Sequence, residues 1–172
     1  MRIALFSLIV VVHSVPLYAG SVEKRLSTDM IVIHHSESES GNTETFRRYH
    51  VEVNKWIDIG YHFIITNGRG GDDGQIETGR GVEFKGAHAG KATGRNSHSV
   101  GVCLVGRDRF TSAQKAALVN LLVHLCEKYG IDPSTTTIQA HHDRCPGNSF
   151  GLREIVTQVQ QRVRESTLHA RR

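Results

Sequence analysis

The sequence predicts an α/β (α+β) fold in which helices flank a central mixed β-sheet. Two observations predict it. Apolar patterns alternate along the chain in the order strand, helix, strand, hairpin, strand, helix, strand, helix, which is how layered sheet-and-helix domains are written. The strand-like runs are nearly continuous in apolar residues, as strands covered on both faces are. The 172 residues, 38% hydrophobic and 22% charged, suit one domain with its own core. No internal repeat or low-complexity tract interrupts them.

The first twenty residues, "MRIALFSLIVVVHSVPLYAG", stand apart. Basic Arg2, an apolar run from Ile3 to Val12 and small Ala19 and Gly20 have the layout of a secretory signal peptide cleaved near Ala19 or Gly20, with an uncleaved membrane anchor or a slowly released signal as the alternatives. The run is too short to span a bilayer. The expected organisation is a signal peptide at 1–20, one domain at 21–165 and a basic tail at 166–172. The mature chain is expected to be secreted or periplasmic, with no stable membrane insertion.

"MIVI" from Met30 to Ile33 is the first strand. Phe46, Tyr49, His50 and Val53 then recur at helical spacing, predicting a helix over Thr43–Asn54. "IGYHFII" is a second strand, and the Gly- and Asp-rich "TNGRGGDDGQ" reads as a hairpin loop. "SVGVCLVG" is a third strand. Thr111 and Gln114 form a capping box that opens a helix with Leu118, Leu121, Leu122 and Leu125 on one side, and Gly130 closes it. "TTTIQA" is the last strand, and "LREIVTQVQQRV" is the last helix.

The formal net charge of +4 favours anionic surfaces such as wall polymers. It does not favour nucleic acid, because no basic stripe is interleaved with aromatics. Three cysteines is an odd number for an exported chain. Cys103 and Cys126 read as buried thiols, with a disulfide between them as the alternative. Cys145 needs a separate explanation.

"VIHHS" and "AHHDRCPG" each run from a strand into two adjacent histidines, within a chain of 11 histidines. Neighbouring side chains on a strand face opposite ways, so one histidine of each pair can reach a common site. Two imidazoles and the Cys145 thiolate suit Zn²⁺ with one position open, the layout of a catalytic site. A Cys–His hydrolase with Cys145 as nucleophile is the other enzyme reading. Ordinary loop histidines are the bland one.

"RRYHVEVNKWIDIGYHFII", "IVIHHS", "GAHAGKATGRNSHSVGVCLVG" and "AHHDRCPG" together resemble the zinc-dependent N-acetylmuramoyl-L-alanine amidases of the type 2 superfamily, which include amidase-type phage lysozymes and peptidoglycan recognition proteins. The resemblance covers about Met30 to Phe150. It implies one Zn²⁺ held by His34, His141 and Cys145, a catalytic Tyr61, and His88 and Asn96 beside a substrate groove. The implied reaction is attack by a water activated at the zinc on the amide joining the lactyl group of muramic acid to L-alanine. The implied partner is peptidoglycan or muropeptides, met by a monomer. His50 matches a helix histidine with a structural role, and Trp56 is expected to pack nearby. The Arg47–Arg48 pair is expected on a solvated helix face.

One block departs from this pattern. Phage-type relatives carry a longer loop, with a catalytic lysine shortly before the cysteine. Here "HHDRC" holds no lysine, and Arg144 is the nearest cation. Arg144 can stabilise an oxyanion but cannot give up a proton. Should the short segment keep Cys145 from the metal, Asp143 is the substitute. An amidase is the expected function, because members that only bind typically lose the cysteine. Peptidoglycan binding without cleavage is the alternative. Wall remodelling, lysis and immune defence all remain open as roles.

Overall fold

β1 (Met30–His35) is buried from Ile31 to His34, because strands pair with it on both sides. β4 (Ser99–Leu104) and β5 (Ile138–Ala140) both run parallel to it. β4 pairs in parallel with β2 (Phe63–Ile65), and β2 turns through the expected hairpin into antiparallel β3 (Ile76–Thr78). The sheet order is β3-β2-β4-β1-β5. The computed structural model describes residues 21–170. The expected signal peptide and Arg171–Arg172 lie outside them.

The alternation of side chains divides the sheet. Ile31, Ile33, Val100, Val102 and Leu104 face α2 (Ser112–Tyr129) and α3 (Leu152–Ala170), which bury Leu118, Leu122, Leu125, Ile155 and Val159 against them. The opposite face carries a smaller cluster of Ile59, Ile64 and Val105 with Phe46 and Tyr61, beside α1 (Thr43–Arg48). His34 and Cys103 are opposite each other in the β1–β4 register, one residue beyond the paired core residues Ile33 and Val102.

The predicted capping box opens α2. Thr111 Oγ1 accepts from the Gln114 amide at 3.0 Å, and Gln114 Oε1 accepts from the Thr111 amide at 3.1 Å. Gln114 Nε2 also donates to the Ile65 and Val105 carbonyls, so the cap ties the helix to the ends of two strands. Gly130 ends α2 in the left-handed region, φ 66°.

Several boundaries differ from the sequence expectation, each for a local hydrogen-bonding reason. The helix expected over Thr43–Asn54 is α-helical only to Arg48 and continues as a π-helical turn over Tyr49–Val53. That turn buries His50, whose Nδ1 accepts from the Gly60 amide at 3.1 Å and whose ring stacks on Trp56 at 4.6 Å. The Gly60 amide is thus spent on a side chain, and the strand begins only at Phe63. The last strand begins at Ile138 because Ser134 and Thr137 hydrogen-bond each other into a turn. Arg47 is not a solvated cation: Nε meets Asp58 at 2.8 Å and Nη2 donates to the Gly79 carbonyl. α3 continues to Ala170, so residues 166–170 of the expected tail are helical. Cys103 and Cys126 are buried free thiols.

His62 is fully buried. Its Nδ1 accepts from the Gly101 amide at 2.9 Å, and its Nε2–H donates to the Phe84 carbonyl at 3.0 Å. Burial pushes its pKa from 6.5 down to about 4. Between those values the unfolded chain binds a proton that the fold refuses, so stability falls with pH through the window and levels off below it. Chemical denaturation at pH 7 and pH 5 is expected to show a wild-type loss of about 2 kcal/mol attributable to this group. His62→Gln lowers stability at pH 7 but loses correspondingly less on acidification.

Candidate metal centre

Parallel pairing brings the two histidine pairs together. Ile33 is the partner of Ala140, and the His141 amide donates to the Ile33 carbonyl at 3.0 Å. The next residues, His34 and His141, therefore meet at the carboxyl ends of adjacent strands, where open α/β sheets place their ligands. Their ring centroids are 4.5 Å apart. His35 turns aside and donates from Nδ1 to the Arg107 carbonyl at 2.6 Å.

The short segment does bring Cys145 back. His142 and Cys145 exchange backbone hydrogen bonds of 3.1 and 2.9 Å, closing a tight reverse turn. Cys145 Sγ accepts from the His35 amide at 3.4 Å. One ligand atom from each of His34, His141 and Cys145 lies within 4.8 Å of the others. Asp143 is exposed and lines a different hollow with Phe150 and Leu152, so it does not replace Cys145. The donors open onto a cleft of about 460 Å³. This set fits a tetrahedral Zn²⁺ with one open position.

The electrostatics agree with that fit. Burial, then the neighbouring His88 and His141, holds His34 well below its ordinary pKa. Burial, then His142 and Arg95, lowers His141 to about 4. Both imidazoles are neutral at pH 7, the form that ligates metal. Burial raises the Cys145 thiol, against the hydrogen bond from the His35 amide. It holds its proton until a cation displaces it.

Tyr61 faces the same cleft, its ring centroid 5.3 Å from that of His34. Burial, then Cys103 and Cys145, raises its pKa well above 10, so the phenol remains an O–H donor. Arg144 lines the cleft and is exposed. Its backbone amide donates to His142 Nδ1 at 3.3 Å. Sequence reasoning missed Glu37, which also lines the cleft. Its left-handed backbone, φ 60°, has no signal in "HSES".

His88 and Asn96 lie deeper than expected of groove residues, at 6% and 7% exposure. Asn96 Oδ1 accepts from the His88 and Ala89 amides, each at 2.9 Å, and Nδ2 donates to the Gly90 carbonyl at 3.1 Å. His88 Nδ1 meets His34 Nε2 at 2.9 Å. Both residues also border a second cleft of about 490 Å³ with Trp56, Ile57, Arg80 and Lys91. His88 is the wall shared by the two clefts.

The family described as N-acetylmuramoyl-L-alanine amidase matches residues 24–148. The endolysin of Escherichia phage T7 is 38% identical over 135 residues, 72% of this chain and 81% of the endolysin. Among solved structures, the endolysin amidase LysCS of Clostridium intestinale aligns with a TM-score of 0.70 at 29% identity, covering 82% of this chain and 89% of that one. A variant of Drosophila PGRP-LB in complex with tracheal cytotoxin aligns with a TM-score of 0.63 at 30% identity, covering 78% and 84%.

Asn96→Ala removes the acceptor of two buried amides at once. Each orphaned amide costs about 1–3 kcal/mol. Urea denaturation is expected to show a loss of about 2–6 kcal/mol, with the tight turn at His142–Cys145 intact.

Proposed function

Because the chain belongs to the N-acetylmuramoyl-L-alanine amidase family, we propose that it hydrolyses the amide between the lactyl group of muramic acid and L-alanine in peptidoglycan, as a monomer using one Zn²⁺. The observation that carries this reading is the convergence of His34, His141 and Cys145 at the floor of a cleft that also holds Tyr61. Export follows from the signal-peptide layout of residues 1–20, and the product acts in the periplasm or outside the cell.

His34, His141 and Cys145 hold the ion. Bound Zn²⁺ supplies Lewis acidity to a water and to the amide carbonyl. The chain's own residues do the rest. Tyr61 donates its phenolic hydrogen bond to the oxygen that gains charge as the carbonyl becomes tetrahedral. That interaction is stronger in the transition state than with bound substrate, so it acts on kcat. Arg144 lines the same cleft, and its planar guanidinium offers hydrogen-bond donors to an oxyanion there. The second cleft, with Trp56 as an apolar wall and Lys91 as a cation, extends the surface available to the stem peptide.

Recognition without cleavage is the competing reading. It is favoured by the four-residue step from His141 to Cys145, which contains no lysine. The mature protein incubated with a defined muramoyl-tripeptide separates the two. Mass spectrometry is expected to show free stem peptide, lost with chelator and in Cys145→Ser, and restored to wild type by zinc. Intact substrate in zinc-loaded protein that still binds the muropeptide would establish recognition instead.

Two variants partition the chemistry. Tyr61→Phe is expected to lower kcat about 10²- to 10³-fold with little change in KM. Arg144→Ala is expected to lower kcat, while Arg144→Lys restores part of it, since a point cation remains. Equal kinetics in wild type and Tyr61→Phe would remove Tyr61 from the reaction.

A further inference from the structure

We propose that His88 is a positioning residue for the metal centre, holding His34 in the single tautomer that presents Nδ1 as the ligand atom. This rests on the zinc reading above and adds to it a role for a residue that is not itself one of the three ligands.

The hydrogen-bond chain fixes every proton in turn. Ser99 Oγ lies 2.6 Å from the Arg95 carbonyl, which can only accept, so the one hydroxyl proton of Ser99 is committed there. Ser99 Oγ also meets His88 Nε2 at 3.3 Å, and must accept in that contact. His88 therefore carries its proton on Nε2 and offers a bare Nδ1. That Nδ1 lies 2.9 Å from His34 Nε2. His34 must then carry its proton on Nε2, which leaves Nδ1 as its free lone pair. Among the described residues these ring nitrogens make no other hydrogen bond, and His88 and His34 are only 6% and 1% exposed.

The surroundings hold the His88 ring in place. A Cβ at Gly101 would come within 2.5 Å of the ring, and a Cβ at Gly86 would also overlap it. Two glycines thus open a slot of one ring's width. His62 packs edge-on at 5.5 Å. Asn96 grips the His88 and Ala89 amides from below. Both ring nitrogens of His88 are thereby engaged within the protein, one with His34 and one with Ser99. A ligand histidine whose second nitrogen is anchored in this way is oriented before the metal arrives, and loss of such a partner typically weakens metal binding 10- to 100-fold.

The test uses the full mature chain and has two readouts besides activity. Zinc affinity is measured by competition with a chromophoric chelator for wild type, His88→Phe and His88→Asn. His88→Phe fills the slot but offers no acceptor. It is expected to weaken zinc binding 10- to 100-fold. His88→Asn places an amide oxygen near the position of Nδ1 and is expected to remain within a few-fold of wild type. Affinities that do not separate Phe from Asn would overturn the proposal. The second readout needs no variant: long-range ¹H–¹⁵N correlation of the histidine rings in the wild-type protein is expected to show His34 protonated at Nε2. A His34 protonated at Nδ1 would overturn the proposal while leaving the zinc reading intact. Wild type that binds no zinc would overturn the zinc reading itself, and this inference with it.

Discussion

The parallel register that sets Ile33 against Ala140 is the constraint from which the site follows. Parallel strands end at the same edge, so two histidines far apart in sequence become neighbours without any special loop. Alternation along the strand then sorts each pair. Ile33 goes to the helix-covered core, His34 to the opposite face, and His35 out to the Arg107 carbonyl. A slip of one residue in β1 would exchange His34 with His35 and put a polar ring into the core. The core packing and the site are therefore specified by the same register, and neither can change alone.

Burial gives the site its chemistry. Two imidazoles and a thiol gathered under a sheet edge lose water, and this keeps the imidazoles neutral and the thiol protonated. The same desolvation keeps Tyr61 a donor. Only a cation turns the thiol into a thiolate at neutral pH. The centre thus gathers neutral donors that a metal cation can occupy, with two basic side chains beside them: Arg144 lines the cleft, and Arg95 donates to the His141 carbonyl at 3.0 Å.

Much of this was legible in the sequence because the signals were local. The capping box at Thr111, the stop at Gly130, the hairpin after Ile65 and the histidines at strand ends all depend on a few adjacent residues. The π turn at Tyr49–Val53 was not legible, since the pattern of apolar residues there fits an α-helix equally well, and the Gly60 amide decides the matter from ten residues away. The true places of His88 and Asn96 were hidden for a similar reason. "GAHAGKATGRN" reads as an open loop, and only its fold shows that Asn96 satisfies amides within it and that Gly86 and Gly101 make room for the ring of His88. The reach of Cys145 across four residues depended on a turn whose hydrogen bonds are reciprocal between His142 and Cys145.

The central claim is that three side chains from two strand ends and one turn hold a single Zn²⁺. X-ray absorption at the zinc edge on the purified protein tests it most directly. The predicted result is one sulfur scatterer at about 2.3 Å and nitrogen or oxygen scatterers at about 2.0–2.1 Å, with the sulfur lost in Cys145→Ser. A zinc shell without sulfur in the wild type, or a sulfur that persists in Cys145→Ser, would contradict it.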